Sequence, residues 1–102
     1  MTNYEKHQEL CDKIHTTYIQ KNQAYGNSFG ETFKKLGIIS AVTRITDKYN
    51  RIVNLAINPS VDTGDESMID SLLDMANYAL MTVMEIEKQK DEEELPFPIR
   101  SK

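Results

Sequence analysis

Between Met68 and Ile86 the apolar residues Met68, Ile69, Leu72, Leu73, Ala76, Ala79, Leu80, Val83 and Ile86 recur every three or four positions. This is the repeat of an α-helix with one apolar side; a strand, whose side chains alternate every two residues, would scatter the same set over both faces. A helix from near Asp65 to about Lys90 is predicted, and the rest of the chain must offer it an apolar surface. From Tyr4 to about Gln23, Leu10, Cys11, Ile14, Tyr18 and Ile19 keep the same spacing opposite Glu5, Lys6, Glu9, Asp12 and Lys13. That is a second amphipathic helix, first in chain order.

The segment KNQAYGNSFG interrupts it, because Gly26 and Asn27 favour turns. Ser28, followed three positions later by Glu31, matches a capping box for a short helix carrying Phe29, Phe33 and Leu36 and ending at Gly37. Ser40 matches an N-cap for a third long helix reaching about Ile57, with Val42, Ile45, Tyr49, Ile52, Val53 and Leu55 on its apolar side. These β-branched residues also suit a strand, but Arg44, Asp47, Lys48 and Arg51 stand at i, i+3, i+4 and i+7, which is one helical stripe. NPSVDTGD is then a loop, in which Thr63 and Glu66 match a second capping box. No strand is needed, so the expected fold is all-α, a four-helix domain over residues 1–95 with a Pro-containing tail at 96–102. The tail follows an acidic run that the helix dipole disfavours, so it is expected to fray or to dock on a partner.

The third and fourth helices are expected to run antiparallel and to pack through Ile45, Ile52, Leu72, Leu73, Ala76 and Leu80. With Met68, Met75, Met81 and Met84 added, the apolar surface of the last helix exceeds what a four-helix monomer covers, so a homo-oligomer is expected. A chain of 102 residues makes one domain with a thin core. Its net charge of −4 argues against non-specific nucleic-acid binding, which rests on many Lys and Arg contacts to phosphates. The single Cys11 cannot form an internal disulfide and is expected to be a small buried hydrophobe. No apolar run approaches a membrane span and MTNYEKHQEL has no signal-peptide core, which points to the cytoplasm and to no membrane partner.

Chemistry concentrates on polar stripes. Glu66, Asp70 and Asp74 stand at i, i+4 and i+8, with Asn77 and Tyr78 on the same side. Carboxylates one turn apart repel unless a cation sits among them, and oxygen ligands of this kind hold Mg²⁺ together with substrate phosphates. The alternative is a solvated acidic face. On the third helix Asp47 and Asn50 offer oxygens, whereas Arg44, Lys48 and Arg51 offer positive charge. The latter either meet phosphates or pair with Asp70 and Asp74 across the helix interface. In KNQAYGNSF, Lys21 precedes a glycine-containing turn that opens a helix, an arrangement able to bind an anion, and Lys21, Asn22, Tyr25 and Ser28 are its ligand-binding candidates. Its alternative is a plain helix connection. Tyr25 and Tyr78 could stack on a nucleobase or sit at the rim of the core. His7 and His15 share no helical face and have no acidic partner at ligand spacing.

The ordered set KNQAYGNSF, DKYNR and DESMIDSLLDMANYALMT resembles the nucleotide modification associated domain 1 family of phages and bacteria, from about His7 to Met84. The resemblance implies a nucleotide ligand without establishing a reaction. More distantly the layout is similar to the all-α nucleotide pyrophosphohydrolases, the MazG and dimeric dUTPase group, in which carboxylate motifs on facing helices surround Mg²⁺. By that analogy Asp47 and Asn50 take the positions of the first motif, and Asp74, with Asp70 beside it, those of the second. Asn50 in place of a carboxylate, with Arg44, Lys48 and Arg51 around it, departs from that pattern and lowers the negative charge that would hold the metal.

Three functions follow as expectations. The first is Mg²⁺-dependent hydrolysis of a nucleoside triphosphate, with Asp47, Asp70 and Asp74 catalytic, Asp47, Asn50, Glu66, Asp70 and Asp74 around the metal, and Lys21 and Arg51 balancing charge. The second is binding of a nucleotide or cyclic nucleotide without turnover, as in sequestering a host defence signal. The third is a helical oligomerisation module.

Overall fold

The computed structural model describes residues 1–58 and 68–93. Among these the chain is all-α, with helices α1 (Asn3–Tyr25), α2 (Ser28–Leu36), α3 (Ile38–Ile57) and α4 (Met68–Glu93), and without a strand. The expected box of Thr63 and Glu66, the helix start near Asp65 and the tail at 96–102 lie outside the described residues. At its far end α4 runs three residues past Lys90.

The helix ends show which local signals operate. Thr2 and Glu5 form a reciprocal capping box at the start of α1: the Thr2 hydroxyl accepts from the Glu5 N–H at 3.1 Å, and the Glu5 carboxylate accepts from the Thr2 N–H at 2.7 Å. The pattern T-x-x-E announces it. Gly26 ends α1 at φ 67°, where a Cβ is disfavoured, and donates its N–H to the Asn22 carbonyl at 2.7 Å. The expected box of Ser28 and Glu31 does not form. With α1 closed at Gly26, the Asn27 carbonyl already accepts the Glu31 N–H at 3.0 Å, so Ser28 falls inside α2 and no side chain caps that end.

Ser40 is likewise no N-cap. Gly37 alone connects α2 to α3 at φ 77°, and its carbonyl accepts from both the N–H and the hydroxyl of Ser40, at 3.1 and 2.8 Å. The third helix thus begins three residues earlier than its serine suggests.

The α3–α4 pair is the centre of the fold, with α2 against both helices and α1 along α4. The pairing is antiparallel: Arg44 lies over Tyr78 and Lys48 meets Asp74, so numbers rise on one helix as they fall on the other. Ile45, Ile52, Leu73 and Ala76 are part-buried as expected, but Leu72 and Leu80 are 47% and 53% exposed. The buried row of α4 is instead Ser71, Thr82 and Glu85. At about 100° per residue these three share one side, with Leu72 and Leu80 well round from it. The Thr82 hydroxyl is satisfied by the Tyr78 carbonyl at 2.7 Å, and Glu85 pairs with Lys88 at 3.1 Å.

Among the described residues Phe33, 2% exposed, and Ala41 are the buried apolar side chains, and α1 contributes none. Cys11 is only half-buried, because α1 lays one narrow edge on α4. No described helix is long and apolar enough to cross a membrane. A core resting on one aromatic ring is sensitive to its loss: Phe33→Ala should cost about 3 kcal/mol or more, read as a collapse of the cooperative thermal transition in circular dichroism.

Candidate functional site

The antiparallel pairing brings the charged stripe of α3 beside the acidic side of α4. Asp74 accepts an ion pair from Lys48 of α3 at 3.1 Å and a longer one from Lys21 of α1 at 3.7 Å. The Asp74 and Lys48 side chains are only 22% and 21% exposed, so this pair is partly withdrawn from water, whereas Lys21 stays largely in solvent. One turn on, the Asn77 amide donates to the Ile14 carbonyl at 2.9 Å, which ties α4 to α1 through a backbone group. Asn77 therefore has a structural duty besides facing the cleft.

Two pockets open on either side of this node and share Asp74 and Asn77 as a common wall. The larger, about 470 Å³, takes Lys13 and Thr17 from α1, Arg51 from α3, and Asp70 and Leu73 from α4. The smaller, about 340 Å³, is walled by Tyr18, Tyr25, Phe29 and Tyr78, with Lys21 and Arg44 at its charged side. Phe29 and Tyr78 stack with centroids 6.0 Å apart and planes 22° from parallel, and the Arg44 guanidinium lies 6.0 Å from the Tyr78 ring. Such a geometry orients the arginine by attraction to the ring face. Both volumes fall in the range of small-molecule sites.

The turn from α1 to α2 shapes the smaller pocket. Gly26, Asn27 and Ser28 line it, and the Asn27 side chain lies over Gly30, where a Cβ would come within 2.5 Å of the amide nitrogen. Gly30 thus leaves room for the amide at the pocket mouth.

Of the residues singled out in the sequence, Lys21, Asn22, Tyr25, Ser28, Arg44, Asp74, Asn77 and Tyr78 line the smaller pocket. Arg51, Asp70, Asp74 and Asn77 line the larger, and Lys48 reaches the node through Asp74. Asp47 and Asn50 are exposed and line neither pocket, while Glu66 lies outside the described residues. Lys13 and Phe29 belong to the site although the sequence placed them on a polar helix face and in the core. Phe29 could have been found, since it stands inside KNQAYGNSF; nothing local marks Lys13.

Among the described residues no group of three or more His, Cys, Asp and Glu side chains is placed to hold a metal ion. Repulsion at Asp74 is relieved by its two lysines.

The cleft of this helical domain thus joins an aromatic pocket to a charged one across a shared carboxylate. The sequence model of the nucleotide modification associated domain 1 family matches residues 21–86, and the chain belongs to that family. No curated protein and no solved structure matches it. The matched span opens at Lys21 and includes every pocket residue of α2, α3 and α4.

Because Asp74 neutralises a part-buried Lys48, Asp74→Asn should lower the stability of the ligand-free protein by about 1 kcal/mol, a fall in Tm of about 5 °C in a thermal melt. A mutually repelling carboxylate row would show the opposite sign.

Proposed function

We propose that the joined pockets bind a nucleotide or cyclic nucleotide, with its base against the rings of Phe29 and Tyr78 and its phosphate on the side of Lys13 and Arg51. The observation that carries this reading is the shared Asp74–Asn77 wall, which makes an aromatic pocket holding Lys21 and Arg44 the neighbour of a pocket where Lys13 and Arg51 stand with Asp70 and Asp74. Five of the twelve basic residues, Lys13, Lys21, Arg44, Lys48 and Arg51, converge here in a chain of net charge −4. Such focusing favours a small anion over a long polyanion. Arg51 offers paired N–H donors to phosphate oxygens, Lys21 and Lys13 offer mobile point charges, and Asp74 keeps Lys48 oriented. The family's description, which names nucleotide modification, supports the same ligand class.

A second reading, Mg²⁺-dependent pyrophosphohydrolysis of a nucleoside triphosphate, is favoured by Asp70 and Asp74 on one pocket wall. Any metal would then have to arrive on the ligand's own phosphates, with the two carboxylates beside it.

The test is a thermal-shift panel of nucleotides and cyclic nucleotides, each with and without Mg²⁺, followed by product analysis. A bound ligand at 100 times its Kd should stabilise the protein by about 2.7 kcal/mol. Arg51→Ala and Phe29→Ala should each remove most of that response while leaving the ligand-free fold helical. A response that needs Mg²⁺ and yields product selects the hydrolytic reading. A panel without any shift refutes nucleotide binding altogether.

A further inference from the structure

The helix α2 breaks two local rules close together, at the mouth of the smaller pocket. Asparagine is among the residues that best cap a helix N-terminus, and Asn27 holds that position, yet its side chain makes no capping bond. Its backbone, at φ −90° and ψ 52°, departs from the extended conformation of Thr2, whose ψ of 166° lets the hydroxyl meet the Glu5 N–H. Gly30 is the second exception. It lies inside a helix of nine residues, where alanine is the more stable choice, and it has none of the positive φ that sets Gly26 and Gly37 apart.

One arrangement accounts for both. The Asn27 side chain is folded over Gly30, so that a Cβ there would lie 2.5 Å from Nδ2, 2.8 Å from Oδ1 and 2.9 Å from Cγ. These are the heavy atoms nearest to that point, so the space left by the glycine belongs to the amide. The same amide lines the smaller pocket beside the stacked rings of Phe29 and Tyr78. A missing cap and a glycine within the helix therefore both serve to hold Asn27 at the pocket. Local rules broken together, with a loss of stability and no gain in packing, mark a functional position.

We propose that Asn27 determines base specificity in the cleft, its amide pairing with the edge of a nucleobase stacked on the aromatic pair; this rests on the nucleotide reading of the joined pockets. An aromatic ring accepts every base, because each has a π face, and the cations meet phosphate, which all nucleotides share. Neither tells one base from another. An amide can, since it presents an N–H donor beside a carbonyl acceptor in one plane, the complement of a base edge that sets an acceptor next to a donor. The Asn77 amide in the same pocket already gives a donor to the Ile14 carbonyl. Gly30 acts through Asn27 and is a positioning residue.

The experiment measures Kd by calorimetric titration of the full chain with the 5′-triphosphates and 3′,5′-cyclic monophosphates of adenosine, guanosine, cytidine and uridine, alongside melts of each ligand-free variant. The wild type should separate the best base from the worst by about tenfold or more, and Asn27→Ala should bring that ratio close to one. Asn27→Asp, which exchanges the donor for a second acceptor, should favour guanine, whose edge sets two N–H donors side by side. Gly30→Ala should push the amide aside, losing the same discrimination while raising Tm by about 4 °C. Arg51→Ala should weaken all nucleotides and keep their ratios. Wild-type binding without base preference, or an Asn27→Ala that retains it, overturns the proposal and leaves the nucleotide reading standing. A lower Tm for Gly30→Ala also overturns it, because the glycine would then serve the packing of α2. Failure of every nucleotide to bind refutes the reading of the cleft itself, and the role of Asn27 falls with it.

Discussion

A single carboxylate joins three of the four helices. Asp74 belongs to α4, its closer partner Lys48 to α3 and its farther partner Lys21 to α1. Partly withdrawn from water, the Asp74–Lys48 pair leaves each member less well compensated if the other is removed. This contact fixes the register of α3 on α4, and the register decides which residues face the cleft. It also places Lys48 and Lys21 against the last carboxylate of the acidic row on α4, with Lys13, Arg44 and Arg51 in the pockets on either side.

Polar function and a small core are linked in this fold. The α3–α4 pair gives one side of each helix to the cleft, which leaves those positions charged and unavailable for apolar packing. Ser71 and Thr82, small enough for close approach, occupy the buried row of α4, and the large apolar residues are displaced to the outer side. The same displacement that equips the cleft therefore leaves Leu72, Leu80 and Val83 half in water.

Element identity was legible in the sequence to within a few residues, because the three-and-four spacing of apolar residues and the glycines at 26 and 37 act locally. Caps were less so. Ser28 and Ser40 carry the right side chains one and three residues past the actual N-cap positions, since Gly26 and Gly37 set the starting points. Much of the site was legible too: motif residues such as Lys21, Tyr25, Arg51, Asp74 and Tyr78 do line the cleft. Asp47 and Asn50 were not separable from them, because a stripe of oxygens looks the same in sequence whether it faces a neighbour or solvent.

The sequence alone determined that this chain is helical, where its helices lie and which polar stripes they carry, because periodicity and turn chemistry depend on neighbours within a few residues. Only the tertiary structure decided which stripe faces which. Packing chose Ser71, Thr82 and Glu85 over Leu72 and Leu80 for the buried row of α4, and placed Lys48 on Asp74. Helix rotation and register come from contacts between residues far apart in the chain, and no local preference encodes them.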